Sequence, residues 1–327
     1  MVTIGPRPAT PDSKPQRVIL MDYSVATSSG GDRVIDAQRL VVVGHSGFIG
    51  RHLVAELAAA SPRSEVIGVS TPDFDLTSQS GAADLLPLLG PNTTVIFLAG
   101  VKRQLGDTIE AFETNIAIAT NFCRCLQQQQ IRRVVYVSSA AVYGEENHNL
   151  VITEETPVRP TSLYGAAKFA SECLVLKTLR DAGRGSLVVV RPPLVYGPGD
   201  ASASYGPAGF AKAAMLGMPV TLWGDGKERR EFLFVRDAVK LIASLAVAEH
   251  EGLLNLASGE SRSYIEVLDE MGNALGREVL TTMRPRTKPK VDHGFQNAAL
   301  RRLFPDFRFT PLSEGIRATL DSQGAAS

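Results

Sequence analysis

Short apolar runs separated by stretches of helical period set the pattern of this chain from residue 40 onward. Val41, Val42 and Val43 follow Leu40 without alternation, the mark of a strand covered on both faces. The run ends at glycine, and Gly50–Ala60 then has helical spacing. The rhythm repeats: Glu65–Val69 and Thr94–Leu98 predict strands, Thr108–Gln128 a helix, Arg133–Val137 a strand, Tyr164–Arg180 a helix and Leu187–Val190 a strand. Strands interleaved with helices of ordinary length predict an α/β chain whose parallel sheet is covered on both faces. Functional groups are then expected beyond the carboxyl ends of the strands.

Past Arg191 the rhythm breaks. Glycine and proline crowd Pro192–Pro219, apolar segments shorten, and the tail from Met283 carries Arg284, Arg286, Lys288 and Lys290. The expected organisation is an extension over 1–38, a first domain of 39–191 and 232–256, and a smaller mixed domain of 192–231 and 257–327. The extension is rich in Pro, Ser, Thr and Gly and is expected to be mostly disordered. Its apolar patch, Val18-Ile19-Leu20-Met21, has the character of a docking segment.

Composition narrows the function. Lys plus Arg balance Asp plus Glu at 34 each, which argues against nucleic acid or an anionic membrane as partner. Three cysteines, two of them in Cys123-Arg124-Cys125, make no disulfide framework, and side chains two apart on a helix point to different sides. The five histidines lack metal-ligand spacing, and Glu145-Glu146 reads as a solvated turn. No apolar run is long enough to span a bilayer, and the first residues lack the basic-then-apolar order of a signal peptide, so a cytoplasmic location is expected.

Three groups of residues carry candidate chemistry. Gly44, Gly47 and Gly50 open the first helix, where glycines permit a tight turn, close approach of a pyrophosphate and close helix packing; a plain packing turn has the same composition. The strand Arg133–Val137 runs into Ser138 and Ser139, residues that also serve as turn formers. Tyr164 and Lys168 stand four apart, on one helix face. An ammonium beside a phenol lowers its pKa and makes it a general acid or base, although the same pair also decorates solvated helices.

Taken in this order, the sequence resembles the extended short-chain dehydrogenases/reductases, the NAD(P)-dependent nucleotide-sugar epimerases, dehydratases and ketoreductases, from Leu40 to about Leu320. The likeness rests on Gly44–Gly50, Asp75-Leu76-Thr77, Leu98-Ala99-Gly100 with Lys102, Asn115, Ser138–Gly144, Tyr164–Lys168, Arg191–Gly199, and Gly224-Asp225-Gly226 leading to Arg230-Glu231-Phe232. It implies a Rossmann-type doubly wound parallel sheet with a smaller mixed C-terminal substrate-binding domain, and NAD or NADP as cofactor. By the same resemblance Ser139 hydrogen-bonds the sugar oxygen, Tyr164 moves its proton, and Lys168 holds the nicotinamide ribose and lowers the Tyr164 pKa. Gly44, Gly47, Phe48, Ile49 and Gly50 border the dinucleotide, Asp75 and Leu76 lie along adenine, Leu98, Ala99 and Gly100 pass beneath, and Lys102 and Asn115 stand near. Arg230, Arg284 and Arg286 grip the diphosphate of a nucleotide-sugar substrate. Lys102 also reads as a solvated loop lysine, and Arg284 with Arg286 as a basic surface loop. The resemblance further implies a homodimer built on the helices around Thr108–Gln128 and Tyr164–Arg180.

Departures from the pattern refine the expectation. Ala140 and Ala141 stand where dehydratases carry Asp-Glu, which argues against 4,6-dehydration. Arg191-Pro192-Pro193-Leu194 replaces an Arg-x-x-Asn motif and removes one phosphate contact, while Phe97 replaces a frequent His as a packing change. Ser70 ends the second strand where NAD-preferring members place an acid, so Ser70, Thr71 or Arg51 is placed to bind a 2′-phosphate, favouring NADP. The expected activity is hydride transfer at C4 of an activated sugar, as an epimerase. An NADPH-dependent 4-ketoreductase of a nucleotide deoxysugar, a ketoreductase on a non-sugar ketone and a silent dinucleotide-binding protein are the alternatives.

Overall fold

The structure, a computed structural model, describes residue 23 and residues 38–71, 74–200 and 206–324; the patch Val18–Met21 lies outside them. In chain order, the first elements are β1 (Arg39–Val43), α1 (Phe48–Ala60), β2 (Glu65–Val69), α2 (Gln79–Ala83), β3 (Thr93–Phe97), α3 (Ile109–Gln128), β4 (Arg133–Val137), β5 (Asn149–Ile152), α4 (Leu163–Ala182) and β6 (Ser186–Arg191). After them come β7 (Leu194–Tyr196), α5 (Pro207–Met215), β8 (Val220–Trp223), β9 (Arg229–Phe234), α6 (Val235–Val247), β10 (Gly252–Asn255), β11 (Ser261–Ser263) and α7 (Tyr264–Leu275). The chain ends with β12 (Thr281–Arg284), β13 (His293–Phe295), α8 (Ala298–Leu303) and α9 (Leu312–Gly324).

The uninterrupted apolar runs have a direct structural cause. Six parallel strands pair in the order β2-β1-β3-β4-β6-β10, and successive residues of each central strand enter opposite cores. Val41, Val43, Val95, Phe97, Val134 and Tyr136 join the core under α2, α3 and α4. Leu40, Val42, Ile96, Val135, Val188 and Val190 join the core under α1 and α6. Phe97 stacks on Phe122 of α3 with ring centroids 4.2 Å apart, so it fills a layer of packing. Cys123 and Cys125 are buried in the same layer, where burial pushes the Cys123 thiol up to about 11.

Helix starts are written into the sequence. Thr108 caps α3 by accepting from the Ala111 amide at 3.2 Å, and Ser162 caps α4 by accepting from Gly165 at 3.1 Å. Ser263 and Glu266 form a reciprocal capping box on α7.

The smaller unit uses β9 with β7 and β11, the pair β8 and β12, and the helices α5, α7 and α9 around Phe210, Phe232, Tyr264 and Met271. One segment departs from the expected division. Leu300 of α8 is buried in the core shared by α1 and α6, with Phe304, Phe307 and Phe309 packed beside it, so residues 298–309 return to the flank of the large sheet. Among the described residues no helix is long and apolar enough to cross a membrane.

Candidate active site

The carboxyl ends of the sheet strands and the facing loops of the smaller unit enclose one cleft of about 1330 Å³. One end is built by the turn between β1 and α1. Gly44 sits at φ +92°, a conformation that favours glycine, and there its backbone lies against Ala99. A Cβ on Gly50 would meet the Gly44 carbonyl and come within 2.7 Å of the His45 Cα, so the helix starts tight against the strand. Gly47, the residue before α1, has no side chain to cap that helix, unlike Thr108 and Ser162. The first turn of α1 therefore keeps its amides free of a side-chain cap, and Gly44, Gly47 and Gly50 line the cleft there, an arrangement that fits the diphosphate of a dinucleotide. Phe48, Ile49, Ser70, Asp75 and Leu76 line the same end, and Leu98, Ala99, Gly100 and Lys102 line its floor.

The centre of the cleft holds Ser139, Tyr164 and Lys168. Ser139 follows β4 and caps a short turn, with its Oγ accepting from the Ala141 amide at 3.2 Å. Tyr164 and Lys168 lie one turn apart on α4, and Ser139 hydrogen-bonds the Tyr164 phenol. The Lys168 Nζ donates to the Val137 carbonyl at 3.0 Å and lies 5.4 Å from the Tyr136 ring centroid. Burial pulls Lys168 down to about 8, against the pull of Glu172. The expected lowering of the Tyr164 pKa by Lys168 is not found. Burial pushes Tyr164 up to about 12, and the Ser139 hydrogen bond and Arg103 oppose that rise only in part. Lys168 is not among the groups acting on the Tyr164 phenol; its amine donates to the Val137 carbonyl.

Three expectations change in detail. Asn115 is buried and outside the cleft lining; its amide oxygen accepts from the Val101 N–H at 2.7 Å and its Nδ2 donates to the Val101 carbonyl at 3.2 Å. It shapes the Gly100–Lys102 floor from behind. Arg284 is exposed at the end of β12 and also outside the lining, whereas Arg286 lies over Gly224 within it. Arg51 donates to the Gly199 carbonyl and so is not aimed at Ser70. Asp75 lines the cleft, but its carboxylate accepts from the Thr77 amide at 2.9 Å and hydroxyl at 2.6 Å, which hold it below the usual carboxylate range.

Several site residues escaped sequence reasoning. Glu145 stands in the expected turn but is only half-buried there rather than fully solvated: it pairs with Arg103, accepts from Ser162 Oγ at 3.2 Å, and lines the cleft beside Tyr164. Beneath the site, Glu172 lies one turn beyond Lys168 and holds Arg191 through two hydrogen bonds of 2.9 and 2.6 Å, with both residues at most 1 % exposed. Ser138, the neighbour of Ser139, donates to the same carboxylate. Tyr23, from the extension, donates to Glu172 Oε2 at 2.6 Å and receives Arg191 Nη2 at 2.9 Å. The spacing 164, 168, 172 was the available signal for Glu172; Tyr23 had none. Among the described residues no cluster of three His, Cys, Asp or Glu side chains is placed to hold a metal.

Residues 40–257 match the NAD dependent epimerase/dehydratase family. A trifunctional UDP-glucose 4,6-dehydratase/UDP-4-keto-6-deoxy-D-glucose 3,5-epimerase/UDP-4-keto-L-rhamnose-reductase of Arabidopsis thaliana is 25% identical over 89% of this chain and 48% of its own length, so this chain spans about half of that relative. The UDP-glucose 4-epimerase of Thermus thermophilus in complex with NAD superposes with a TM-score of 0.75 and 29% identity, covering 89% of this chain and 100% of that one. RMD from Pseudomonas aeruginosa complexed with NADPH gives 0.76 and 26%, covering 88% and 100%.

Proposed function

The chain belongs to the NAD dependent epimerase/dehydratase family, and from that premise we propose that it moves a hydride at C4 of a nucleotide-activated sugar, as an epimerase. The observation that carries the reading is the convergence of Ser139, Tyr164 and Lys168 in the cleft whose far end is the uncapped start of α1. Gly44, Gly47 and Gly50 hold the dinucleotide diphosphate, and Lys168 faces its nicotinamide ribose. When bound, the nicotinamide accepts or returns the hydride. Tyr164 carries the proton at the sugar oxygen: its phenol gives a proton when a ketone is reduced and takes one when an alcohol is oxidised. Ser139 holds that same oxygen by a hydrogen bond. Burial keeps the free phenol protonated, ready to give its proton; taking one in the oxidising direction needs positive charge beside it, which Lys168, one turn along the same helix, supplies.

Arg230 and Arg286 line the opposite end of the cleft and supply guanidinium groups for the substrate diphosphate. Ala140 and Ala141 put no carboxylate after Ser139, which speaks against dehydration. Reduction of a 4-keto sugar by NADPH is the second reading. It is favoured by the β2 end, where Ser70 and Thr71 face the cleft and the Asp75 carboxylate is spent on Thr77. The proposal also includes a homodimer on α3 and α4, to be read as a doubled mass by light scattering.

The test is a thermal-shift panel of NAD and NADP with nucleotide sugars, followed by Tyr164→Phe on the accepted substrate. Ligands of the folded state raise the melting temperature by mass action. Turnover is expected to fall by about 10²–10⁴-fold while dinucleotide binding persists. Unchanged turnover ends the assignment. Tightly copurified NAD supports epimerisation, and a cofactor-free protein preferring NADPH supports reduction.

A further inference from the structure

The substrate end of the cleft contains an anion of its own. Glu228 sits between the two arginines: Arg230 Nη2 donates to its Oε1 and Arg286 Nη1 to its Oε2. All three side chains are about one-fifth exposed or less, at 18, 16 and 21 % for Arg230, Glu228 and Arg286. All three line the cleft. The second terminal nitrogen of Arg286, Nη2, is buried without a hydrogen-bond partner among the described residues.

Arg230 also donates to the Val291 carbonyl, which fixes its head. His293 is held neutral, pulled down to about 4 by burial and by Arg230, and its Nε2 meets the Asn147 carbonyl at 2.9 Å. Glu231 turns one oxygen to the amides of Ser258 and Gly259. Lys288 pairs with Glu146, and Arg229 with Glu266. Arg230 and Arg286 therefore share one ion-pair partner, Glu228, while the Glu231 carboxylate in the same lining is held by backbone amides.

We propose that Glu228 is a specificity-determining residue of the substrate subsite, an intramolecular competitor that holds Arg230 and Arg286 together and yields them only to a ligand bearing negative charge on two adjacent groups. This deepens the nucleotide-sugar reading and rests on it. Bidentate guanidinium pairs match carboxylate and phosphoryl oxygens equally well, so Glu228 occupies the donors that a diphosphate needs. A free monoanion offers the arginines no more than the Glu228 carboxylate already does, and without its tether it loses to it. A diphosphate engages both arginines through the donors that Glu228 releases. Selectivity then comes from a built-in rival as much as from attraction.

Calorimetric titration of inorganic pyrophosphate into the full chain tests this, with the glycine loop first saturated by NAD or NADP, whichever binds more tightly. Glu228→Gln removes the competing charge and keeps the side-chain shape. It is expected to bind pyrophosphate at least tenfold more tightly than the parent and to bind acetate, which the parent rejects. Arg286→Gln, in the parent background, is expected to weaken pyrophosphate at least tenfold. Unchanged or weaker pyrophosphate binding by Glu228→Gln overturns the proposal. Should that variant fail to fold, Glu228→Ala makes the same comparison. Parent affinity left unaltered by Arg286→Gln also overturns it. Turnover of a nucleotide sugar with pyrophosphate affinity insensitive to Glu228 would leave the functional reading standing and remove this one, whereas absence of any nucleotide-sugar binding removes the reading itself.

Discussion

Replacing Tyr23 by phenylalanine asks whether a residue ahead of the first strand is part of the folded protein. Tyr23 is 6% exposed, and its hydroxyl bridges Glu172 and Arg191, which are themselves fully buried. Burial and the Glu172 charge push its phenol well above the ordinary range, so it remains a neutral donor at any working pH. Phenylalanine keeps the ring, whose centroid lies 5.8 Å from the Arg191 guanidinium carbon, and deletes the two hydrogen bonds. Hydrogen bonds to charged groups contribute about 1.5–3 kcal/mol each, but these two share one hydroxyl. The bidentate Arg191–Glu172 pair survives the substitution, so the expected loss is about 2 kcal/mol.

Unfolding entropy of about 2.1 cal/mol/K per residue turns that loss, in a chain of 327 residues, into a drop of about 3 °C in melting temperature. Glu172→Gln is the reference perturbation. It strips Arg191 of its buried counter-ion and should cost about 3–5 kcal/mol, hence a larger drop, of about 4–7 °C. Differential scanning calorimetry of the parent and the two variants reads both. A Tyr23→Phe protein that melts with the parent, while Glu172→Gln is destabilised, refutes the docking of Tyr23 on the pair.

Three further outcomes follow from the same geometry. His293 is pulled down to about 4 from an ordinary 6.5, so the unfolded chain binds its proton first as pH falls. Its contribution is complete above pH 6.5 and is lost on the way to pH 4, amounting to about 3 kcal/mol, and His293→Gln should flatten that part of the stability profile measured by urea unfolding. Lys168 should react with an acylating reagent with a midpoint near pH 8, read by peptide mass spectrometry, and a midpoint above pH 10 would contradict its burial. Gly50→Ala would drive a Cβ into the Gly44 carbonyl and the His45 backbone, neither of which is a flexible side chain; loss of dinucleotide binding, or of folded protein, is expected in a thermal-shift assay.

Which of these residues the sequence disclosed follows a physical division. Burial on both faces leaves its mark in one short run, so β1, β4 and β6 were legible from valines alone. Helical spacing brought Tyr164 and Lys168 to one face, because four residues make about one turn. Periodicity, however, assigns a face without naming what stands opposite. Lys168 was expected to lean on Tyr164 and instead donates to Val137, a backbone acceptor that no side-chain pattern reveals. Arg284 and Arg286 look equivalent in sequence, yet Arg284 is exposed outside the cleft and Arg286 packs over Gly224 inside it. Tyr23 and Glu172 are 149 residues apart, and nothing local to either predicts the contact. Glu172 lay within reach of sequence reasoning, as the next residue in the stripe that starts at Tyr164. An acid one turn beyond a buried lysine invites the question of what else shares its charge, and here the answer, Arg191, Ser138 and Tyr23, ties the support of Ser139 to a residue that precedes the family's matched region.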